Sequence, residues 1–282
     1  MLTIKNQTTF FSYIRRAPFG GRLTQSQIDG ITVILEQWAF YGLTDRRWLA
    51  NILAQIFHET GGRMQPVRET FATSDAQAKT RLETAWKAGK LGSVKTPYWR
   101  DGWFGRGGIQ LTHRENYAAL GKRLGVDLTG KPSLALDPVI SARIAIVGMA
   151  EGLFTGKKLS DYFGDSADDP QGARRIVNGT DKAKLVAGYH KNFLDAIEAA
   201  SGPIQKADAS PALATADDVP PSASGSVKTL LGGTFGSALA SALVGVNNPW
   251  AFGVTALLLL MGGGALYMFG SGRWSVNRIK GV

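Results

Sequence analysis

Apolar residues recur three and four apart along Trp48, Leu49, Ile52, Leu53, Ile56 and Phe57, the spacing of one helix face. Thr44 or Asp45 stands where a cap is needed. Gly61-Gly62 follows as a stop, so Glu59 falls where this helix runs out. A second helix is signalled by Asp137-Pro138, a cap with proline at the first helical position. It continues through Ile140, Ala142, Ile144, Ala145, Val147 and Met149. A third runs from about Lys182 to Ala200, with the stripe Leu185, Val186, Tyr189, Phe193, Leu194 and Ile197. Alternating strand patterns are scarce. Residues 1–200 therefore read as one mainly α globular domain.

The pattern changes twice beyond it. Residues 201–228 are rich in Ala, Pro, Ser and Asp without apolar periodicity, as expected of a flexible linker. Residues 229–272 then contain no charged side chain. Within them 250–270 is long enough, at about 1.5 Å per residue, to span roughly 31 Å, a bilayer's hydrocarbon core. Trp250 and Trp274 flank it as interfacial anchors. A second span over 229–246 is the other possibility. There Gly232, Gly236 and Ala240 keep the four-residue spacing that lets membrane helices approach and self-associate, and Asn247-Asn248-Pro249 offers a turn. The expectation is thus a C-terminal transmembrane helix or a helical hairpin, with lipid as partner. Residues 273–282 form a basic tail. A hairpin puts Lys228, Arg273, Arg278 and Lys280 on one side of the bilayer and leaves the globular domain facing the cytoplasm. A single span demands that the domain cross the membrane. Residues 1–20 do not read as a secretory signal, because Arg15 and Arg16 interrupt them.

Charge and composition narrow the chemistry. The formal charge is +10, and residues 1–200 hold 27 Lys and Arg against 19 Asp and Glu. A basic globule is drawn to polyanions such as an anionic cell wall. There is no cysteine, so neither a disulfide framework nor a thiolate metal site is available. The histidines, His58, His113 and His190, show no zinc-hydrolase spacing. His58 and His113 read as structural. No metal or cofactor is expected.

Two segments carry the chemistry. Ile56-Phe57-His58-Glu59-Thr60-Gly61-Gly62 sets a carboxylate at the end of an apolar helix. Phe104-Gly105-Arg106-Gly107-Gly108-Ile109-Gln110-Leu111-Thr112-His113-Arg114-Glu115-Asn116-Tyr117 sets a glycine-rich turn before amide, hydroxyl and aromatic side chains. One acid in a partly dry site beside a polar platform suits hydrolysis of a sugar polymer. Each polar residue also has a structural alternative. Gln110 and Asn116 can satisfy backbone groups, Tyr117 can be core, and Asn178-Gly179 can be a turn.

Together the two segments resemble the core of glycoside hydrolase family 19, the chitinases and related phage and bacterial peptidoglycan lysins. The resemblance spans about Arg46 to Ile197 and implies a lysozyme-like helical domain. It makes Glu59 the general acid. In the lysin branch a second acid lies about ten residues on, in a stretch resembling Pro66-Val67-Arg68-Glu69-Thr70, so Glu69 becomes the general base of an inverting reaction. The plant chitinase branch places that acid farther along, which makes Glu83 the alternative. The segment Glu69-Thr70-Phe71-Ala72-Thr73-Ser74 departs from the family's usual Asn after the glutamate. By the same resemblance Gln110, Thr112, Asn116, Tyr117 and Asn178 line the sugar cleft, and Thr112 helps hold the attacking water. Arg106 is placed to orient a catalytic carboxylate.

The expected function is a membrane-tethered peptidoglycan hydrolase of endolysin type, in a bacterial inner membrane or a virion membrane, acting on glycan strands and not on nucleic acid. The alternatives are a chitinase of the same fold, a lytic transglycosylase, and a non-catalytic virion or wall-binding protein.

Overall fold

The computed structural model describes residue 4 and residues 6–92 and 94–201. The expected linker, membrane segment and basic tail therefore lie outside the described residues. Among the described residues, no helix is long and apolar enough to cross a membrane.

The domain is mainly α. Its helices are α1 (Gln7–Arg16), α2 (Gln25–Phe40), α3 (Arg46–Glu59), α4 (Asp75–Lys87), α5 (Arg114–Leu124), α6 (Pro138–Glu151) and α7 (Ala183–Ala200). Local signals account for their ends. The Asp45 side chain accepts from the Arg47 amide and starts α3. Asp137 accepts from Val139 and Ile140 and starts α6, with Pro138 next. At the start of α2, Thr24 and Gln27 form a reciprocal capping box. The strand content is a two-residue antiparallel ribbon, β1 (Val67–Arg68) and β2 (Arg106–Gly107).

α3 lies along α7, α1 also packs on α7, and α2 packs on α6. The main core between them holds Phe10, Ile31, Trp38, Leu49, Ile52, Leu53, Ile146, Phe193 and Ile197. Each large apolar side chain buried there stabilises the fold by about 1.5–3 kcal/mol. Two smaller apolar clusters stand apart. One comprises Leu111, Tyr117, Leu120, Leu128, Ala135 and Ile144. The other gathers Leu82, Trp99 and Phe104. The glycine-rich segment is pinned into all three: Phe104 in one, Ile109 in the main core, Leu111 and Tyr117 in the other.

Candidate active site

Glu59 occupies the last turn of α3, whose residues from Leu49 to Ile56 are buried. Its Oε1 lies 2.7 Å from Nη1 of Arg174, which is only 2% exposed. The contact is an ion pair by distance, while Oε1 accepts no well-directed hydrogen bond. The same Nη1 donates to Gln55 Oε1, one turn earlier on α3, at 2.7 Å. Arg174 Nε donates to the Asp181 carbonyl at 3.2 Å. One buried guanidinium thus ties the end of α3 to the loop that leads into α7. His58 is half-buried. Burial, and then the Arg174 charge, hold its pKa below the usual histidine value, with Glu59 opposing. Its ring leans on Tyr189, which also packs against Phe57.

Glu69 is positioned by the ribbon. Val67 pairs with Gly107 and Arg68 with Arg106. One residue on, the Glu69 amide donates to the Gly105 carbonyl at 2.7 Å. The Gly105 amide donates back to Glu69 Oε2 at 2.7 Å, and the Tyr98 hydroxyl donates to Oε1 at 2.7 Å. Burial, together with the charge and hydrogen bond of Glu69, raises the Tyr98 pKa and keeps it a donor. A side chain at Gly105 would displace its neighbours, because its Cβ would stand 2.7 Å from Gln110 Oε1 and 3.3 Å from Glu69 Oε2. Gly107 takes a left-handed φ of 94°, with the Ala135 carbonyl 3.0 Å from where a Cβ would be. The Gly108 amide donates to Ser141 Oγ at 2.8 Å, a Cβ added at Gly108 would stand 3.4 Å from Ile56 of α3, and the next residue, Ile109, shares the main core with Ile56. The ribbon bearing Glu69 is therefore seated on the helix bearing Glu59.

The turn after Glu69 is strained. Thr70 and Phe71 both have positive φ, 61° and 54°. Neither is glycine, and each such residue costs of order 1–3 kcal/mol unless its surroundings enforce it. Here they do. Arg81 Nη1 donates to the Thr70 carbonyl at 2.9 Å and reaches that of Phe71 at 3.5 Å. The Arg63 guanidinium stacks 4.2 Å from the centre of the Phe71 ring. That ring borders Gly61, two residues past Glu59, where an added Cβ would stand 3.4 Å from it, and is still 45% exposed.

The remaining expected site residues divide. Gln110, at φ 55°, donates to the Val67 and Gly107 carbonyls at 3.1 and 3.0 Å and clamps the ribbon. Thr112 is half-buried, and its carbonyl accepts from Asn116 Nδ2 at 2.9 Å. Tyr117 is fully buried, so it supports the loop from beneath and does not face a cleft. Its hydroxyl donates to the Phe104 carbonyl at 3.0 Å. Arg106 is buried too, and its partner is not a catalytic candidate. It pairs with Asp75 at 2.8 Å and donates to Tyr117 and to the Gly102 carbonyl. It is Arg174, not Arg106, that stands beside Glu59. Asn178 is exposed in the turn after Arg174 and accepts from the Gly179 amide. His113 is exposed at the start of α5, its ring 4.7 Å from that of Tyr98.

Glu83 sits elsewhere. Arg100 holds it through hydrogen bonds at 2.8 and 3.0 Å, with Trp99 Nε1 at 3.1 Å. The Arg100 hydrogen bond, then that of Trp99, draw its pKa down to about 2. It is committed to a surface ion pair.

Beyond Arg174 opens a cavity of about 1110 Å³ lined by Arg175, Lys182, Lys184, Leu185 and Tyr189, among others. Lys191 on its wall pairs with Asp195 at 2.7 Å. Asp169 on the same wall accepts the Gly172 amide. Among the described residues, Arg175, Lys182 and Lys184 have no ion-pair partner. No three His, Asp or Glu side chains among the described residues converge as a metal set.

Residues 41–151 match the family chitinase class I, glycoside hydrolase family 19. Chitinase 11 of Oryza sativa subsp. japonica is 30% identical over 177 residues, which cover 54% of this chain and 62% of that protein. The chain thus spans less than two thirds of that relative's length. Endochitinase 4 of Solanum tuberosum is 53% identical over 45 residues, 16% of this chain and 15% of that one. Among solved structures, chitinase C from Streptomyces griseus HUT6037 aligns with a TM-score of 0.45 at 21% identity, over 71% of this chain and 79% of its own.

Proposed function

We propose that this chain, which carries a glycoside hydrolase family 19 (chitinase class I) domain over residues 41–151, cleaves a β-linked N-acetylhexosamine polymer by inverting acid–base hydrolysis. The observation that supports this reading is the seating of the Glu69 ribbon on the Glu59 helix, with a separate set of partners fixing each carboxylate. Glu59 gives its proton to the leaving glycosidic oxygen. Glu69 takes a proton from a water that attacks the anomeric carbon from the opposite face. Two of the roughly four lone-pair sites of Glu69 are used by Gly105 and Tyr98, which leaves acceptor capacity for that water. Arg174 positions Glu59 and does not itself meet substrate.

The polymer in this reading is the glycan strand of peptidoglycan. Arg175, Lys182 and Lys184, which have no ion-pair partner among the described residues, line a cavity that neither Glu59 nor Glu69 borders, and they favour a strand that bears carboxylates over neutral chitin. Hydrolysis of chitin is the second reading, and the plant chitinase matches favour it. The chain is tethered through 250–270, alone or as a hairpin with 229–246 that self-associates. Protease treatment of spheroplasts tests the topology, since digestion of the globular domain from outside before lysis removes the hairpin.

The full chain is incubated with purified peptidoglycan freed of secondary polymers, and in parallel with chitin. Fragments are read by mass spectrometry. New reducing ends on peptidoglycan, absent with Glu59→Gln, are the expected result. 1,6-Anhydro ends would make the enzyme a transglycosylase, and cleavage of chitin alone would favour the second reading.

A further inference from the structure

We infer that Phe71 is a stacking platform for one sugar ring of the substrate, an inference that rests on the reading of this domain as a glycan hydrolase. The ring is not part of the apolar core. It belongs to none of the three apolar clusters, and nearly half of it faces solvent. It is nevertheless held hard. Two consecutive non-glycine residues adopt left-handed backbone to present it, Arg81 grips both of their carbonyls, and Arg63 stacks on the ring. An exposed side chain merely left over in a turn needs none of these. The position also fits. The ring lies two residues after Glu69 in sequence and borders Gly61, two residues after Glu59, where an added Cβ would stand 3.4 Å from it. It therefore bridges the two chain segments that bear the carboxylates.

The chemistry of a half-exposed aromatic ring on the turn after Glu69 selects its ligand class. A pyranose presents a flat array of C–H groups on one face, and these pack on an electron-rich ring. The Arg63 guanidinium on the same phenyl prevents the ring from turning and offers hydrogen bonds at its rim. An N-acetylhexosamine seated there has its hydroxyl and acetamido groups free for polar partners. The contact is indifferent to whether the strand is chitin or peptidoglycan, so it supplies affinity and register but not discrimination between them.

Binding of a soluble N-acetylhexosamine oligosaccharide is measured calorimetrically on the full chain in the Glu59→Gln background, where substrate survives. Adding Phe71→Ala is expected to weaken Kd about tenfold, and Phe71→Trp to restore it to within about threefold. With Glu59 intact, Phe71→Ala is expected to raise KM far more than it lowers kcat. A Kd within twofold of the parent, or a loss explained by a lowered melting temperature that Phe71→Trp does not repair, overturns the platform. The glycan-hydrolase reading fails separately, if the unmutated chain neither binds nor cleaves any such oligosaccharide or polymer.

Discussion

Arg174 and Glu59 meet at 2.7 Å, yet the guanidinium directs its hydrogen bond at Gln55, one turn back along the same helix. The arginine thus grips α3 twice, and it does so from a loop that lies far along the chain. Arg174→Ala leaves a carboxylate and an amide without their partner in a nearly closed site. Removing one member of a buried pair typically costs about 3–5 kcal/mol, and the partial exposure of Glu59 places the expected loss near the lower figure. Arg174→Lys keeps the charge but not the fork that reaches both Gln55 and the Asp181 carbonyl. Its activity on cell wall should fall roughly 100-fold, as expected when a catalytic group is displaced by about 1 Å. Urea titration and turbidity assays measure the two effects, and a fully active Arg174→Lys contradicts the positioning role.

The three candidate carboxylates should separate cleanly. Glu59→Gln and Glu69→Gln each remove a proton donor or acceptor without changing shape, and losses of roughly 100- to 10,000-fold are expected. Glu83→Gln breaks the contacts to Arg100 and Trp99. It should therefore retain activity while lowering the melting temperature slightly. A harmless Glu69→Gln alongside an inactive Glu83→Gln would reverse the assignment.

Gly105→Ala tests the ribbon. The new methyl group meets Gln110 Oε1 and crowds Glu69 Oε2, so the two segments must part. Overpacking of this kind costs about 1–3 kcal/mol. The distinguishing readout is kcat, which should fall more than Gln110→Ala lowers it, because only Gly105 supplies the amide that fixes Glu69.

Stability should fall in two steps on acidification. Burial depresses the His190 pKa, opposed by its hydrogen bond to the Arg47 carbonyl, and the ring stacks on Phe163. A histidine with a depressed folded pKa contributes stability above its unfolded value of about 6.5, and that stability is lost as pH falls through the folded value. For Asp75, burial raises the pKa, but hydrogen bonds from Arg68 and Arg106 more than offset it and the net shift is downward. Its contribution is full above the unfolded value near 3.9 and is lost below it. Urea midpoints measured from pH 7 to 2.5 should show the first decline begin near pH 6.5. His190→Gln should reduce the first decline, to which the depressed His58 also contributes, and Asp75→Asn the second, which Asp75 shares with Glu83 and Asp45.

Charge reversal at Arg175 and Lys182 should divide the two candidate substrates. Cleavage of peptidoglycan is expected to drop about tenfold, equivalent to about 1.4 kcal/mol, while a neutral chitin oligosaccharide is little affected. The difference should shrink in high salt, since exposed charges are screened within about 3 Å at 1 M. Equal losses on both substrates would remove the electrostatic argument for peptidoglycan.

The helices most legible in the sequence were those whose caps and stops are local. Asp45 begins α3, Asp137-Pro138 begins α6, and α7 starts within a residue of its expected position. The ribbon was invisible, because two residues of pairing between Val67 and Gly107 leave no periodicity. Glu59 and the glycine-rich segment could be singled out because each is marked by its neighbours. Whether a residue in such a segment points outward cannot be read the same way. Tyr117 and Arg106 are sunk because residues from other parts of the chain close on them, Leu128 and Ile144 in the cluster with Tyr117 and Asp75 at Arg106. Tyr98, Arg81 and Arg174 were missed for a related reason. Their partners are set by tertiary packing, and the pair Arg174-Arg175 upstream of Asn178 gave no hint of which guanidinium turns inward.

The glycine-rich segment is anchored in three separate apolar clusters, and this makes the fixing of Glu69 depend on all three. Gly105 has a defined place only between Phe104 in one cluster and Ile109 and Leu111 in the other two. A chain with two clusters consolidated and the third still loose would have most of its helices and much of its tryptophan burial. It would have no fixed amide to hold Glu69. On the proposed function, hydrolysis therefore depends on the consolidation of all three clusters. A copy with one of them loose would leave its polymer uncut.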